Sequence, residues 1–362
     1  MFRIEMLPAS DGDCLWIEYG DRERPWRLLI DGGRGATYET LRERLAALPR
    51  GQRNFELLML SHVDADHIGG LLELVEDQNC PACFKDVWFN GYHHLFDTTI
   101  EEYGPAQGER LTDALVQGNW PWNEAFNRGG PAVLPDVGDL PVVELEGGMK
   151  ITLLSPTWPK LRRLQPIWEK ECRRHGIVAG VDGPGDEPEA RDDGFEEMGG
   201  EPDIPALAQR EFEADSSVAN GSSLAVFAEF ENTYLLLSGD AHVDALLGTI
   251  PRLPGYARGQ IKADAFKMPH HGSKKNVSRE LIGMLDCPRY LVSSNGARHR
   301  HPDMESIARV IHYGDSPEIV FNYRTEFTEV WDIRSLMRRN NYRVRYPETG
   351  ADGYVEIDLL SV

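Results

Sequence analysis

Four side chains able to hold a metal ion fall within six residues of the run Ser61-His62-Val63-Asp64-Ala65-Asp66-His67-Ile68-Gly69-Gly70. On an extended strand alternate side chains point to opposite faces, whereas a tight loop lets His62, Asp64, Asp66 and His67 converge on one point. Carboxylates and imidazoles packed this densely repel or stay unsatisfied unless a cation neutralises them. A polar turn with Asp66 as helix N-cap would need one such residue, and here there are four. The chemistry this points to is activation of water by one or two divalent ions.

Three further stations carry residues of the same kind. Asp240 lies in Leu237-Ser238-Gly239-Asp240, the pair His270-His271 precedes Gly272-Ser273-Lys274, and His299 and His301 flank Arg300 before Pro302. Singly each is weak, since a Gly-Asp after a strand is usually a turn and a histidine pair is often surface or core. Jointly they gain force because each follows a predicted strand, and strand-end loops on one edge of a layered sheet are where such folds build sites. The basic residues Arg298, Arg300 and Lys274 lie close by in sequence, where they could grip a phosphate. Read one at a time, they are ordinary solvated residues.

The elements that must position these side chains read as an α/β chain. Cys14–Tyr19 and Arg27–Ile30 are predicted strands joined by a charged turn, followed by a helix over Tyr38–Leu48 and the apolar strand Glu56–Leu60. A helix is expected from Gly69 onward, so that the metal-capable residues sit in the loop before it. Later strands are expected at Val87–Asn90, Lys150–Leu154, Ser223–Phe230, Thr233–Leu237, Ala265–Met268, Arg289–Ser293 and Glu318–Tyr323. Helices are expected at Gly108–Gln117, Lys160–His175, Ser278–Leu285 and Met304–His312, with a helix over 331–340 and two strands closing the chain. The order β, β, α, β, α at the start is that of a layered sheet.

With these residues in view the chain resembles the metallo-β-lactamase fold. His62-x-Asp64-x-Asp66-His67, Gly239-Asp240 and His270-His271-Gly272-Ser273 are similar to its metal motifs. The details resemble the hydrolase domain of ComEC-type DNA-internalisation proteins and their stand-alone soluble relatives. They include Asp11-Gly12-Asp13, Asp31-Gly32-Gly33, Asn220-Gly221-Ser222-Ser223-Leu224, His301-Pro302 and Arg324-Thr325. The resemblance covers roughly 1–75, 145–156 and 216–330. It implies a single four-layer αββα domain over 1–362, with an inserted helix and acidic flexible segment over 157–215 and a C-terminal extension over 326–362.

The resemblance also implies a ligand set of His62, Asp64, Asp66, His67, Asp240 and one of His270 and His271. His271 is favoured because it directly precedes Gly272, and Asp240 is the natural bridge. Asp64 stands where the general fold has a second histidine, and the histidine of a third motif is replaced within Asn220–Ser223. The oxygen-rich set tilts the choice toward Mn²⁺, while imidazoles still suit Zn²⁺. Asp66, His270 and His301 are then the candidates for catalysis, and Ser273, Lys274, His299 and Arg300 for substrate contact. The implied activity is a metal-dependent phosphodiesterase or nuclease acting on nucleic acid or nucleotides. The alternatives are an ester or lactone hydrolase, such as a phosphorylcholine esterase, and a non-catalytic regulatory or binding module.

Composition sets limits on partners. The 362 residues carry 38 Lys+Arg against 59 Asp+Glu, a net charge of −21, so a broad basic face for coating nucleic acid is excluded. A phosphodiester can still be accepted where metal ions supply local positive charge. Between Asp182 and Asp215 stand 13 acids and two arginines; the expectation is a solvated, mobile insertion, with a docking surface for a basic protein partner as the lesser reading. Met1–Pro8 has no apolar run of signal-peptide length, and no stretch is apolar enough to span a bilayer, so no membrane association is expected. Five scattered cysteines point to a reducing, cytoplasmic setting, and Cys80-Pro-Ala-Cys83 reads as a turn before it reads as a zinc knuckle. His93 and His94 are candidates to line the pocket or to be plain surface residues; His175, His242 and His312 are read as structural. Trp120 and Trp122 are read as packing residues before they are read as a stacking wall for bases.

Overall fold

The computed structural model describes residues 1–96, 106–174 and 201–360. Among them, six strands form one sheet in the order Val355–Asp358, Phe2–Met6, Leu15–Gly20, Pro25–Ile30, Leu57–Met59, Val87–Trp88. Eight form a second, in the order Arg343–Arg345, Glu318–Phe321, Arg289–Val292, Ala265–Lys267, Thr233–Leu237, Ala225–Phe230, Lys150–Ser155, Val142–Glu144. Alternation explains the first sheet. Phe2, Ile4 and Met6, with Ile17, Leu28 and Met59, turn inward to the core shared with Leu153, Val226, Leu235 and Leu291 of the second.

Helices close both outer faces. Thr37–Ala47, Ala65–Glu76, Ala106–Gln117 and Trp158–Arg174 press Leu41, Leu72, Leu115 and Trp168 onto Trp16, Leu29 and Leu58 of the first sheet. Val243–Thr249, Arg279–Gly283 and Met304–Tyr313 cover the second sheet with Leu246, Leu281 and Val310. The layers therefore run α, β, β, α, as expected. No helix among the described residues is long and apolar enough to cross a membrane.

Topology sets the place of the site. In the first sheet Pro25–Ile30, Leu57–Met59 and Val87–Trp88 pair in parallel. In the second, the five strands from Thr233–Leu237 to Arg343–Arg345 do the same. The carboxyl ends of both parallel sets open onto one edge. Asp31, His62, Asp240 and the His270-His271 pair each follow one of these strands within a few residues.

Three expectations change. The helix expected from Gly69 begins at Ala65, so Asp66 and His67 occupy its first turn, and the N-cap position is Asp64, whose side chain makes no cap bond. The strand Phe2–Met6 comes before the first strand read from sequence. The solvated segment expected over 182–215 does not extend to its described end: Ile204 and Leu207, on the short helix Ile204–Ala208, are buried in the core, and Asp215 is drawn into the loop cluster described below. Residues 182–200 and His175 lie outside the described residues. The last forty residues contribute the outermost strand of each sheet.

Candidate metal centre

His62 and His67 are held by a single carboxylate. Asp31, in left-handed backbone at the end of its strand, accepts the Ser61 N–H and the Ser61 hydroxyl, both at 2.7 Å, and the His67 Nδ1–H at 2.8 Å. Because Ser61 Oγ has given its proton to Asp31, it accepts from His62 Nδ1 at 3.0 Å. His271 Nδ1 donates to the Ser293 carbonyl at 2.8 Å. In all three rings Nδ1 is turned to a fixed partner, which leaves Nε2 facing the centre.

Those Nε2 atoms meet carboxylates. His62 Nε2 lies 3.3 Å from Asp64 and 3.8 Å from Asp240. His67 Nε2 lies 3.6 Å from Asp240 and 3.9 Å from Asp66, and His271 Nε2 lies 3.3 Å from Asp66 and 3.9 Å from Asp240. Among the described residues three triads have ligand atoms within 4.8 Å of one another: His62 with His67 and Asp240, Asp66 with His67 and His271, and, behind the His67 ring, Asp13 with Asp31 and His67. The three Nε2 atoms and Asp240 Oδ1 are buried and have no hydrogen-bond partner. Orphaned polar atoms from four residues around one point are what a cation satisfies, and this nitrogen-and-oxygen donor set fits a divalent ion.

Electrostatics agree. Burial works against charge on every group here. Among the protein groups alone, the carboxylates of Asp240, Asp31 and Asp66 still lift His67 well above the ordinary histidine range. Asp13 and Asp240 raise His271 to about 10. In return His67, His270 and His271 hold Asp240 well below the carboxylate range, and His67 and His271 do the same for Asp66. Protons stand in where a cation would otherwise balance the acids.

His270 and His271 both lie in left-handed backbone, with φ of 47° and 52°. Two adjacent non-glycine residues in that region carry strain, and it persists only where neighbours enforce it. His270 N–H donates to the Gly239 carbonyl, and its Nδ1 is surrounded by Asn276 Oδ1 at 3.1 Å, Asn220 Nδ2 at 3.2 Å and Asp215 at 3.6 Å. Its Nε2 lies 3.9 Å from Asp240, as that of His271 does, but His271 also reaches Asp66 at 3.3 Å, and it is His271 that belongs to a triad. His301 is buried edge-on to His270, with ring centroids 5.1 Å apart, and stacks on His299 at 5.9 Å. Its Nδ1 has no hydrogen-bond partner, and burial first, then His270 and His271, push its imidazole well below the usual range, so it stays neutral.

The remaining sequence candidates divide. Ser273 is buried on the His271 loop, and Lys274 is half-buried with its N–H on Asp303 at 2.7 Å. Arg300 is exposed. Arg298 approaches Asp11 at 4.0 Å, and Arg34 already binds that carboxylate through two bonds. His94 is buried and bonded to Gly91 and Gly129, which makes it a structural residue; Trp120 and Trp122 stack on Phe84 and Phe89, as packing residues do. His242 donates to the Ser217 carbonyl.

Four contributors were not read from sequence as site residues. Asp13 and Lys267 form a fully buried ion pair of 2.7 Å, with Asp13 also 3.4 Å from His271 Nδ1. Ser61 and Asp215 act as described. A buried lysine closing an apolar strand was the one legible signal, at Ala265-Phe266-Lys267.

Part of the chain matches a family model. Residues 12–157 match the metallo-beta-lactamase superfamily. The match takes in His62, Asp64, Asp66 and His67, and the layered α/β fold is that of metallo-β-lactamase-like proteins. No curated protein matches the chain. Among solved structures, the metallo-beta-lactamase fold protein YhfI from Bacillus subtilis is 10% identical, with 98% of this chain and 99% of that one covered and a TM-score of 0.41. Human tRNase Z, short form, is 9% identical over 98% and 99%, with a TM-score of 0.42. CmlA, a diiron beta-hydroxylase from Streptomyces venezuelae, is 12% identical over 98% and 54%, with a TM-score of 0.41.

Proposed function

We propose that this protein is a metal-dependent phosphodiester hydrolase, related to the soluble ComEC-type hydrolases, whose substrate is nucleic acid or a nucleotide. One observation carries the metal dependence: the orphaned Nε2 atoms of His62, His67 and His271 around Asp66 and Asp240. These five residues, with Asp64 beside His62, would hold one or two divalent ions. The ions would lower the pKa of a bound water and polarise the phosphoryl oxygens.

The chain's own groups do the rest. Asp66 orients the attacking water while serving as ligand. Neutral His301, buried beside His270, is assigned a ring N–H hydrogen bond to the leaving oxygen, which takes its proton from water, and Asp215, Asn220 and Asn276 fix the His270 ring against rotation. Ser273, His299 and Arg300 are the groups assigned to the non-bridging oxygens. The carboxylates of Asp64, Asp66 and Asp240 favour Mn²⁺ beside the Zn²⁺ that the imidazoles suit.

The test is elemental analysis of purified protein combined with assays on bis-p-nitrophenyl phosphate, single-stranded DNA, RNA and a carboxylic ester. Chelation should abolish diester cleavage, and Mn²⁺ should restore it at least as well as Zn²⁺. Cleavage that survives exhaustive chelation overturns the proposal. Turnover of the ester alone moves the protein to the esterase class.

A further inference from the structure

Directly behind the His271 loop lies a cleft of about 190 Å³ whose cations are Arg210, Lys274, Lys275 and Arg309. Three carboxylates share its walls, Glu211, Glu213 and Glu305, and Glu305 is paired with Arg210 at 3.0 Å. The two lysines are the unusual members. Both are half-buried, and among the described residues neither ammonium has a hydrogen bond or an ion pair. Lys274 lies within electrostatic reach of Asp303, and both ammonium groups keep their hydrogen-bond donors open to an anion.

The walls are built to hold that position. Arg309 is buried, and its guanidinium donates to the Lys274 carbonyl at 2.7 Å, the Val277 carbonyl at 2.9 Å and the Arg210 carbonyl at 3.3 Å. Phe212 lies under the same guanidinium, and the Asp215 N–H donates to the Lys275 carbonyl at 3.1 Å. The backbone carrying both lysines is therefore pinned on each side. Only three peptide units separate His271 from Lys274, a span of at most about 11 Å.

We propose that the Lys274–Lys275 cleft is a docking subsite for a phosphate of the substrate other than the scissile one. The preferred substrate is then a single-stranded oligonucleotide and not a mononucleotide or an isolated diester. This rests on the phosphodiesterase reading above and narrows it. On a chain of net charge −21, affinity for a long polyanion cannot come from a broad basic face. Two lysine ammonium groups presented side by side next to a cation-binding centre supply it locally, and repulsion from the rest of the surface keeps the contact short.

The experiment compares kcat/KM for hexathymidylate and for the dinucleoside monophosphate TpT, using full-length protein loaded with Mn²⁺. Wild type should prefer the hexamer, and Lys274→Gln/Lys275→Gln should lower that preference about tenfold. Removing two phosphate contacts should flatten the dependence of log kcat/KM on log salt for the hexamer by about 1.4, at about 0.7 per contact on single strands. Lys274→Arg/Lys275→Arg should keep the preference, and thermal midpoints of all variants should match if the fold is intact. A hexamer-to-TpT ratio that is the same in wild type and the glutamine variant overturns the subsite while leaving the phosphodiesterase reading in place. Failure of the wild-type protein to cleave either substrate overturns that reading itself, and the subsite with it.

Discussion

At the scale of single residues, the centre is organised by atoms that do not face it. Asp31 touches no triad member through Nε2, yet it fixes His67 directly and His62 through Ser61. Asp31→Asn keeps an acceptor but adds a donor that competes with the Ser61 hydroxyl and His67 Nδ1–H, so the proton can move to the wrong nitrogen. Loss of such a supporting carboxylate typically weakens metal binding by about 10–100-fold. Co²⁺ titration followed by its visible absorption should show that loss, with the imidazole count altered in the same spectra. Asp66→Ala and Asp240→Ala should go further and lose bound metal and turnover together, by elemental analysis and rate. If either variant keeps wild-type metal content, the assignment of that residue as ligand fails.

At the scale of elements, two contacts decide where the helix Ala65–Glu76 can start. A Cβ on Gly12 would sit 1.8 Å from the Asp66 carbonyl, and one on Gly70 would sit 2.1 Å from the Gly32 carbonyl. Both turns therefore press backbone to backbone, and no side chain fits between them. Gly12→Ala should displace the first helical turn, cost about 1–3 kcal/mol of stability, and reduce metal affinity in proportion.

The helix Ala106–Gln117 meets Trp158–Arg174 through a Trp168 N–H donated to Glu109 at 3.3 Å. Burial, with Asp113 adding to it, pushes the Glu109 carboxyl up to about 8. The folded state thus prefers the protonated acid. Its contribution is whole below the unfolded value near 4.5 and drains away as pH rises toward 8, at about 1.4 kcal/mol for each unit crossed. Glu109→Gln keeps the acceptor and removes the titration. Its thermal midpoint should match wild type at pH 4 and exceed it increasingly from pH 5 to 8; a difference that stays flat across that range would show that the carboxyl is solvated.

What the sequence made legible follows from range of interaction. The strands Thr233–Leu237 and Lys150–Ser155 announce themselves as apolar runs, and the helix Met304–Tyr313 by its periodicity, because local pattern determines them. The start of the helix at Ala65 was not legible. Asp64, Asp66 and His67 lower helix propensity, and it is contact with Gly12 and Gly32 that holds the first turn in place. Phe2–Met6 was open to the same alternation test that found other strands, with Arg3 and the buried Glu5 on the face opposite Phe2, Ile4 and Met6. Asp215 was hidden by averaging: composition over a long acidic window describes its neighbours, while its own place is set by Asn220, His270 and Asn276. The metal-ligand types were legible because their chemistry is rare at such density, but Asp13 and Lys267 become partners only when loops more than 250 residues apart meet.

At the scale of the molecule, the ligands come from three separate stretches: His62, Asp66 and His67 from the first sheet's edge, Asp240 and His271 from two strand ends of the second. A cation held among them ties the two sheets together at their open edge, opposite the Arg3–Glu18 side. Binding to the folded chain and not to the unfolded one stabilises by about 2.7 kcal/mol at a hundredfold excess over Kd. Chelation should therefore lower the thermal midpoint, and readdition of Mn²⁺ or Zn²⁺ should restore it. The effect must depend on pH with a definite sign. Binding releases the proton that Asp13 and Asp240 keep on His271 up to about pH 10, so metal gains affinity as pH rises. Midpoint scans with and without metal between pH 6 and 9 should separate progressively on the alkaline side. A gap that is constant, or widest at pH 6, would mean that the imidazoles of this edge do not give up protons to the ion and that the metal binds elsewhere.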